Sequence, residues 1–310
     1  MYLSFTEKKA YQNALDFLIA NEPEQRLDFR LPFDCYLALE EEARKRYGDE
    51  GYPRVEYSSK SSTVTIYTCQ SSLHVKASQF LQRWIEEGVR RELVNHGRGE
   101  LGERLRPIFD ETRNAGDDES GELVKKPDGG LVYFRDFRSV TVVAIEVGVS
   151  EKYEKLVADV TLWMEEFHCR TGILFSLKET PRFRYPARQI MNAFSLAVDL
   201  EPFYDAIIEI GPNQPFGPYP YRGHNWFGSL DSAFIEILRR DPLTGIVNQS
   251  QRDVIENGHM RLQGDNVDVG LTIEDLFPYG QEDIVGIQQE PIRLDANLLR
   301  GYLQEGVVDI

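Results

Sequence analysis

Long hydrophobic runs are missing from this chain of 310 residues. No apolar stretch approaches the ~20 residues a helix needs to cross a bilayer, so no membrane partner is expected. The opening Met1-Tyr-Leu-Ser-Phe-Thr-Glu-Lys-Lys9 lacks the charged start, apolar run and cleavage site of a signal peptide. Cysteine is scarce: Cys35, Cys69 and Cys169 are odd in number and far apart. That excludes a disulfide framework and a zinc knuckle, and it points to a reducing compartment, cytoplasm or nucleus. His74, His96, His168, His224 and His259 show no paired spacing, so no zinc site is expected. Neither a phosphate-cradling Gly loop with lysine nor a dinucleotide fingerprint occurs, so no nucleotide cofactor is expected.

Positive charge is also short. Lys and Arg number 35 against 51 Asp and Glu, a net charge of −16. From Pro242 onward 4 Lys and Arg face 12 Asp and Glu, so the last fifth of the chain carries half the excess. An acidic protein does not attract nucleic acid at long range. Any such partner would need a local basic groove.

What is present suffices for a core. The hydrophobic fraction is 41% and the aromatic fraction 11%, which excludes general disorder. Apolar periodicity predicts helices over Thr6 to Ala20, Asp34 to Arg46, Leu73 to Asn95 and Ser150 to Phe167, with a short one near Ala296 to Gln304. Strands are expected at Arg54 to Tyr57, Thr63 to Cys69, Leu131 to Phe134, Ser139 to Val149, Thr171 to Lys178, Tyr204 to Gly211, Ser232 to Leu238, Val267 to Ile273 and Ile284 to Gln288. Residues Thr112 to Gly121 and Pro212 to Gly228 read as loops. The expected fold is α/β, a mixed central sheet flanked by helices. No Pro/Ser linker divides it, so one domain is expected: a helical cap over 1–53, a core over 54–180 and a β-rich acidic extension over 181–310 packed on the core.

Glu146 stands out, because it is the lone charge in Ser139-Val-Thr-Val-Val-Ala-Ile-Glu-Val-Gly-Val149, otherwise the pattern of a buried strand. An ionised carboxylate there needs a cation, a hydrogen-bond network or a shifted pKa. Upstream stands Pro127-Asp128, and downstream Ser150 opens an amphipathic helix. Two acids on neighbouring strands followed by a helix can hold Mg²⁺ or Mn²⁺, which activates water and neutralises a phosphate. The alternative for Glu146 is a buried carboxylate satisfied by a neighbouring strand or by an arginine such as Arg135. For Asp128 alone it is a turn, Pro-Asp-Gly-Gly.

Several pieces in order resemble the PD-(D/E)XK, or restriction-endonuclease-like, superfamily, and within it a large group of uncharacterised fungal proteins. They are Arg54-Val-Glu-Tyr57, the strand Thr63 to Tyr67 leading to His74 and its helix, Pro127-Asp128, Val143-Ala-Ile-Glu-Val-Gly-Val-Ser150, Leu156, Asp159-Val-Thr-Leu-Trp163 and Ala233-Phe-Ile-Glu-Ile-Leu-Arg239. The resemblance covers roughly Arg54 to Lys178, with a looser echo to about Arg240. It implies a restriction-endonuclease-like core and a divalent-metal-dependent nuclease. Asp128 and Glu146 would be catalytic metal ligands for Mg²⁺ or Mn²⁺, with Glu87, or its neighbour Glu86, assisting. The sequence departs from the pattern at the lysine, because Gly148 stands at its place. Lys152 and Lys155 in the next helix are available as replacements, although Lys155 between Glu151 and Asp159 also fits a solvated ion pair. The alternative is a catalytically degenerate member that binds nucleic acid or protein. Arg182, Arg184 and Arg188, interleaved with Phe183 and Tyr185, could contact phosphates and stack a base, or form an ordinary surface loop. A homo-oligomer is compatible with the sequence.

Overall fold

A computed structural model describes residues 4–20, 26–47, 53–68, 70–108, 113–115, 123–135, 137–181, 214–221 and 224–308. The chain divides into two compact units where the sequence suggested one. The first comprises 1–71 and 109–127, the second 72–108 and 128–310.

The first unit holds helices α1 (Phe5–Ala20) and α2 (Phe33–Tyr47), with strands β1 (Arg26–Arg30), β2 (Arg54–Ser58), β3 (Thr63–Tyr67), β5 (Arg113–Ala115) and β6 (Leu123–Lys125). The strands form an antiparallel sheet in the order β1-β3-β2-β6-β5. A capping box starts α1: the Ser4 amide donates to Glu7 Oε2 and the Glu7 amide to Ser4 Oγ. Cys35, Leu39 and Ala43 recur on one face of α2, as Ala14 and Leu18 do on α1, and pack with Val55, Val64 and Ile66. Helices α1 and α2 thus share one core with β2 and β3. Strand β1 was missed because its Arg-Leu-Asp-Phe-Arg stretch is short and mostly exposed. Strand β5 falls in the expected 112–121 loop.

The second unit is a mixed α/β body. Strands β4 (Leu105–Ile108), β7 (Gly129–Arg135), β8 (Arg138–Val149), β9 (Thr171–Thr180), β12 (Ser229–Arg240), β13 (Val247–Glu256) and β14 (His259–Met260) form one sheet, ordered β14-β13-β12-β9-β8-β7-β4. Among the described strands only β8 and β9 run parallel, joined through α4 (Tyr153–Glu165). A small hairpin, β10 (Tyr219–Tyr221) with β11 (His224–Phe227), stands apart from that sheet.

Side-chain alternation sorts the two faces of the large sheet. Val143, Ile145 and Val147 of β8, Ile173 and Phe175 of β9 and Ile235 of β12 pack with Ala77, Leu81 and Ile85 of α3 (Ser72–Asn95) and with Leu299 and Leu303 of α5 (Ala296–Val308). On the opposite face Leu174 and Leu238 pack with Leu156, Val160 and Met164 of α4, and Ala144 packs with Trp163. The sheet thus lies between α3 and α4.

The expected strands at 267–273 and 284–288 do not form. Single bridges, Val267 to Leu294 and Thr272 to Pro291, and short 3-10 turns at Ile273–Leu276 and Glu282–Ile284 replace them. Asp275 explains the first replacement, because it closes a capping box with Thr272 and accepts from Nε and Nη2 of Arg239 at 2.6 and 2.7 Å. Among the described residues, the β content of the acidic extension therefore lies in β10 to β14. Helix α5 continues to Val308, opened by Asp295, which accepts from the Asn297 and Leu298 amides. The strand expected at Tyr204 to Gly211 lies outside the described residues.

Candidate functional site

The start of β7 meets α3 through a polar stripe inside an otherwise apolar helix face. His74, Ser78, Gln82 and Glu86 recur every fourth residue, so they share one side of α3. The Ser78 hydroxyl donates to the His74 carbonyl at 2.9 Å. Gln82, only 1% exposed, accepts from the Gly130 amide at 2.7 Å and donates to the Gly130 carbonyl at 3.0 Å and to Glu86 Oε1 at 2.6 Å. The Gly129-Gly130 pair makes this approach feasible. A Cβ on Gly129 would lie 2.8 Å from Gln82 Oε1, and one on Gly130, at φ +155°, 2.2 Å from the Val143 carbonyl oxygen.

Asp128 ends this stripe. Its buried carboxylate lies 3.1 Å from His74 Nε2 and accepts from the Val147 amide at 2.8 Å. The Asp128 amide donates to the Ile145 carbonyl. The side chain therefore continues the β7–β8 ladder and anchors the α3 side.

Glu146 turns the other way, and the Trp163 indole Nε1–H of α4 donates to its Oε1 at 2.5 Å. Leu174 pairs with Glu146 on one neighbouring strand and with Glu236 on the other. Two nearly fully buried glutamates thus stand on the α4 face with Leu174 between them. The Tyr153 hydroxyl donates to Glu236 Oε2 at 2.9 Å. Burial, with that carboxylate adding to it, pushes the Tyr153 hydroxyl up to about 12.

A Mg²⁺ or Mn²⁺ site needs convergent oxygens. As placed, Asp128 meets His74 of α3 and Glu146 meets Trp163 of α4, so these partners of the two carboxylates lie on different helices. Glu87 is exposed and bonded to Arg83 at 2.9 Å, while Glu86 is the one turned toward Gln82. Lys152 is exposed at the N-cap of α4, and Lys155 is half-buried on that helix. Position 148 has a local reason to be glycine: a Cβ there would lie 2.9 Å from Leu156 Cδ2 and 3.3 Å from Glu151 Cβ. Arg182, Arg184 and Arg188 lie outside the described residues.

Sequence reasoning missed two of the residues that matter here. Gln82 was readable as a polar interruption of an apolar stripe. Trp163 entered only as the end of the Asp159 to Trp163 piece, although an indole N–H is a donor able to satisfy a buried acid. In the first unit, Glu56 of the Arg54-Val-Glu-Tyr piece closes an ion cluster. Arg54 Nε lies 3.3 Å away, Lys125 Nζ 3.7 Å, and the Lys126 amide donates at 3.1 Å.

No family model and no curated protein matches the chain. Among the described residues, no helix is long and apolar enough to cross a membrane.

Proposed function

We propose that this chain is a catalytically degenerate protein of the PD-(D/E)XK-like kind, an interaction module that binds nucleic acid or protein and does not cleave. One observation carries the reading: Asp128 and Glu146 are committed to opposite sides of the sheet, one to His74 and the Val147 amide, the other to the Trp163 indole. Gly148, packed by Leu156 and Glu151, agrees with it, since a lysine there would enter the α4 contact. Asp128 then serves the strand ladder and Glu146 the α4 seat. Buried hydrogen-bonded acids of this kind fix geometry, and removing one partner is destabilising. The module would work in the cytoplasm or nucleus, where its cysteines stay thiols.

The test incubates labelled single- and double-stranded DNA and RNA with wild type, Asp128→Ala and Glu146→Ala, in Mg²⁺, Mn²⁺ or chelator. The expected result is no metal-dependent cleavage by any of the three. Cleavage by wild type that both variants lose would restore the nuclease reading.

A further inference from the structure

The two-residue turn between β13 and β14 joins a reactive pair to a restraint on it. Among the asparagines of the chain, only Asn257 is followed by glycine. Glu256 and His259 pair across the turn. Asn257 at φ +51° and Gly258 at φ +73° both take the left-handed backbone that a two-residue hairpin favours. Asn257 is exposed, and its side chain makes no hydrogen bond among the described residues. The Gly258 amide is held, because it donates to the Asp231 carbonyl of β12 at 2.9 Å. Just beyond the turn, Met260 packs on the core and the Arg261 amide donates to the Val254 carbonyl at 2.8 Å.

We propose that Asn257 is a self-modifying site, deamidated without an enzyme through the Gly258 nitrogen, and that the Gly258–Asp231 hydrogen bond restrains the reaction in the folded chain. The proposal stands apart from the binding reading above. A base takes the Gly258 amide proton, and the nitrogen attacks Asn257 Cγ. The new N–Cγ bond forms, the Cγ–Nδ2 bond breaks, and ammonia leaves with a proton from water. Water then opens the five-membered succinimide at either carbonyl, giving aspartate or isoaspartate. Glycine suits this step, since no Cβ crowds the attacking nitrogen. That nitrogen is the one whose proton Asp231 accepts, so the turn must open before the ring can close. Conversion therefore records how often the β13–β14 end lets go. Isoaspartate lengthens the backbone of a turn whose geometry is set for two residues, and either product adds a negative charge next to Glu256. Both oppose re-formation of the Glu256–His259 pair.

The experiment incubates the full chain and a synthetic peptide of residues 251–263 at pH 8. Conversion is followed by peptide mass spectrometry, and isoaspartate is counted with a protein isoaspartyl methyltransferase. Asn257 should convert ahead of every other asparagine. It should do so about 5-fold or more slowly in the folded chain than in the peptide, the factor that one hydrogen bond of ~1 kcal/mol sets. Met260→Ala, which loosens β14, should raise hydrogen exchange at the Gly258 amide and deamidation at Asn257 together. Asn257→Gln, whose cyclisation needs a six-membered ring, should stop conversion at that position and leave the other asparagines as they were. Equal rates in chain and peptide would overturn the proposal, and that comparison holds even where Met260→Ala fails to fold. So would conversion led by another asparagine, no conversion at Asn257 in the peptide, or faster exchange at Gly258 in Met260→Ala with deamidation unmoved.

Discussion

The Trp163 indole donates to the Glu146 carboxylate across 2.5 Å, and both residues are nearly inaccessible to water. A hydrogen bond to a charged group contributes about 1.5–3 kcal/mol, more than a neutral one. Trp163→Phe keeps an aromatic ring against Ala144 and Phe167 but deletes the donor. It should lower stability by about 2–4 kcal/mol, read as a drop in the urea midpoint. Glu146→Gln should make the same substitution less damaging, with a coupling of about 1–2 kcal/mol in the double-mutant cycle. Simple additivity would mean that the indole is not what supports Glu146.

Two glycines separate crowding from backbone conformation. Gly130→Ala would drive a Cβ to 2.2 Å from the Val143 carbonyl oxygen in the neighbouring strand, at φ +155°. Backbone on both sides resists movement, so a loss above about 3 kcal/mol is expected, or failure to fold. Gly97, at φ +68° just beyond α3, has open space around it. Gly97→Ala should cost only about 1–2 kcal/mol, the left-handed backbone penalty alone. Comparable losses in the two variants would show that the close approach of β7 to β8 is not rigid.

The elements that the sequence made readable were those with a clear period and a buried face. Helix α3 and strand β8 were legible because one apolar stripe or run defines each. Glu146 was legible as a buried acid and Asp128 as its upstream companion, but their directions were not. Alternation along β8 says that Glu146 and Ile145 face opposite ways, yet nothing local says which face α4 will cover. That choice depends on the βαβ crossover, a long-range feature. The division into two units was hidden for a similar reason. The chain leaves the first unit at Ser71 and returns at Phe109, and only Ser71-Ser72 and Pro107 mark the crossings, too short a signal to read as a linker. The turns of 267–288 looked like strands because their apolar residues alternate, while the Asp275–Arg239 pair that bends them is separated by 36 positions.

Cys169 is buried, its thiol donating to the Thr171 carbonyl, and desolvation pushes it up to about 12. Thiolate is the reactive form, so at pH 8 only about one part in ten thousand would be ionised. Iodoacetamide should therefore leave Cys169 unmodified in the native protein and label it fully in urea, as mapped by peptide mass spectrometry. Rapid native labelling would mean that the α4 face opens on the labelling timescale.

Alkaline stability follows from Tyr153. Its hydroxyl is raised from 10.0 to about 12, chiefly by desolvation and then by its bond to Glu236. Between those values the unfolded chain has lost the proton and the folded chain keeps it. Fewer protons on the unfolded state make stability fall as pH rises. The contribution is whole below pH ~10 and gone above ~12. Tyr153→Phe should start less stable at pH 8, through the lost bond to Glu236, and should decline less steeply over that window. Parallel declines would exclude Tyr153 as a source of the alkaline loss.

The last prediction separates a structural Asp128 from a metal ligand. Asp128→Asn keeps an oxygen for the Val147 amide and removes the charge beside His74. Asp128→Ala removes both. If the carboxylate serves the ladder, the losses should rank Ala above Asn, with Ala costing about 2–4 kcal/mol. Neither Mg²⁺ nor chelator should then move the melting temperature of wild type. A resident ion would act differently, because saturation at a hundred times its Kd adds about 2.7 kcal/mol to the folded state. In a unit of this size that is a rise of roughly 5–10 °C. Such a rise in wild type, lost equally in Asp128→Asn and Asp128→Ala, would assign Asp128 to a metal. Its persistence in Glu146→Gln would then show that the ion is held on the α3 side without Glu146.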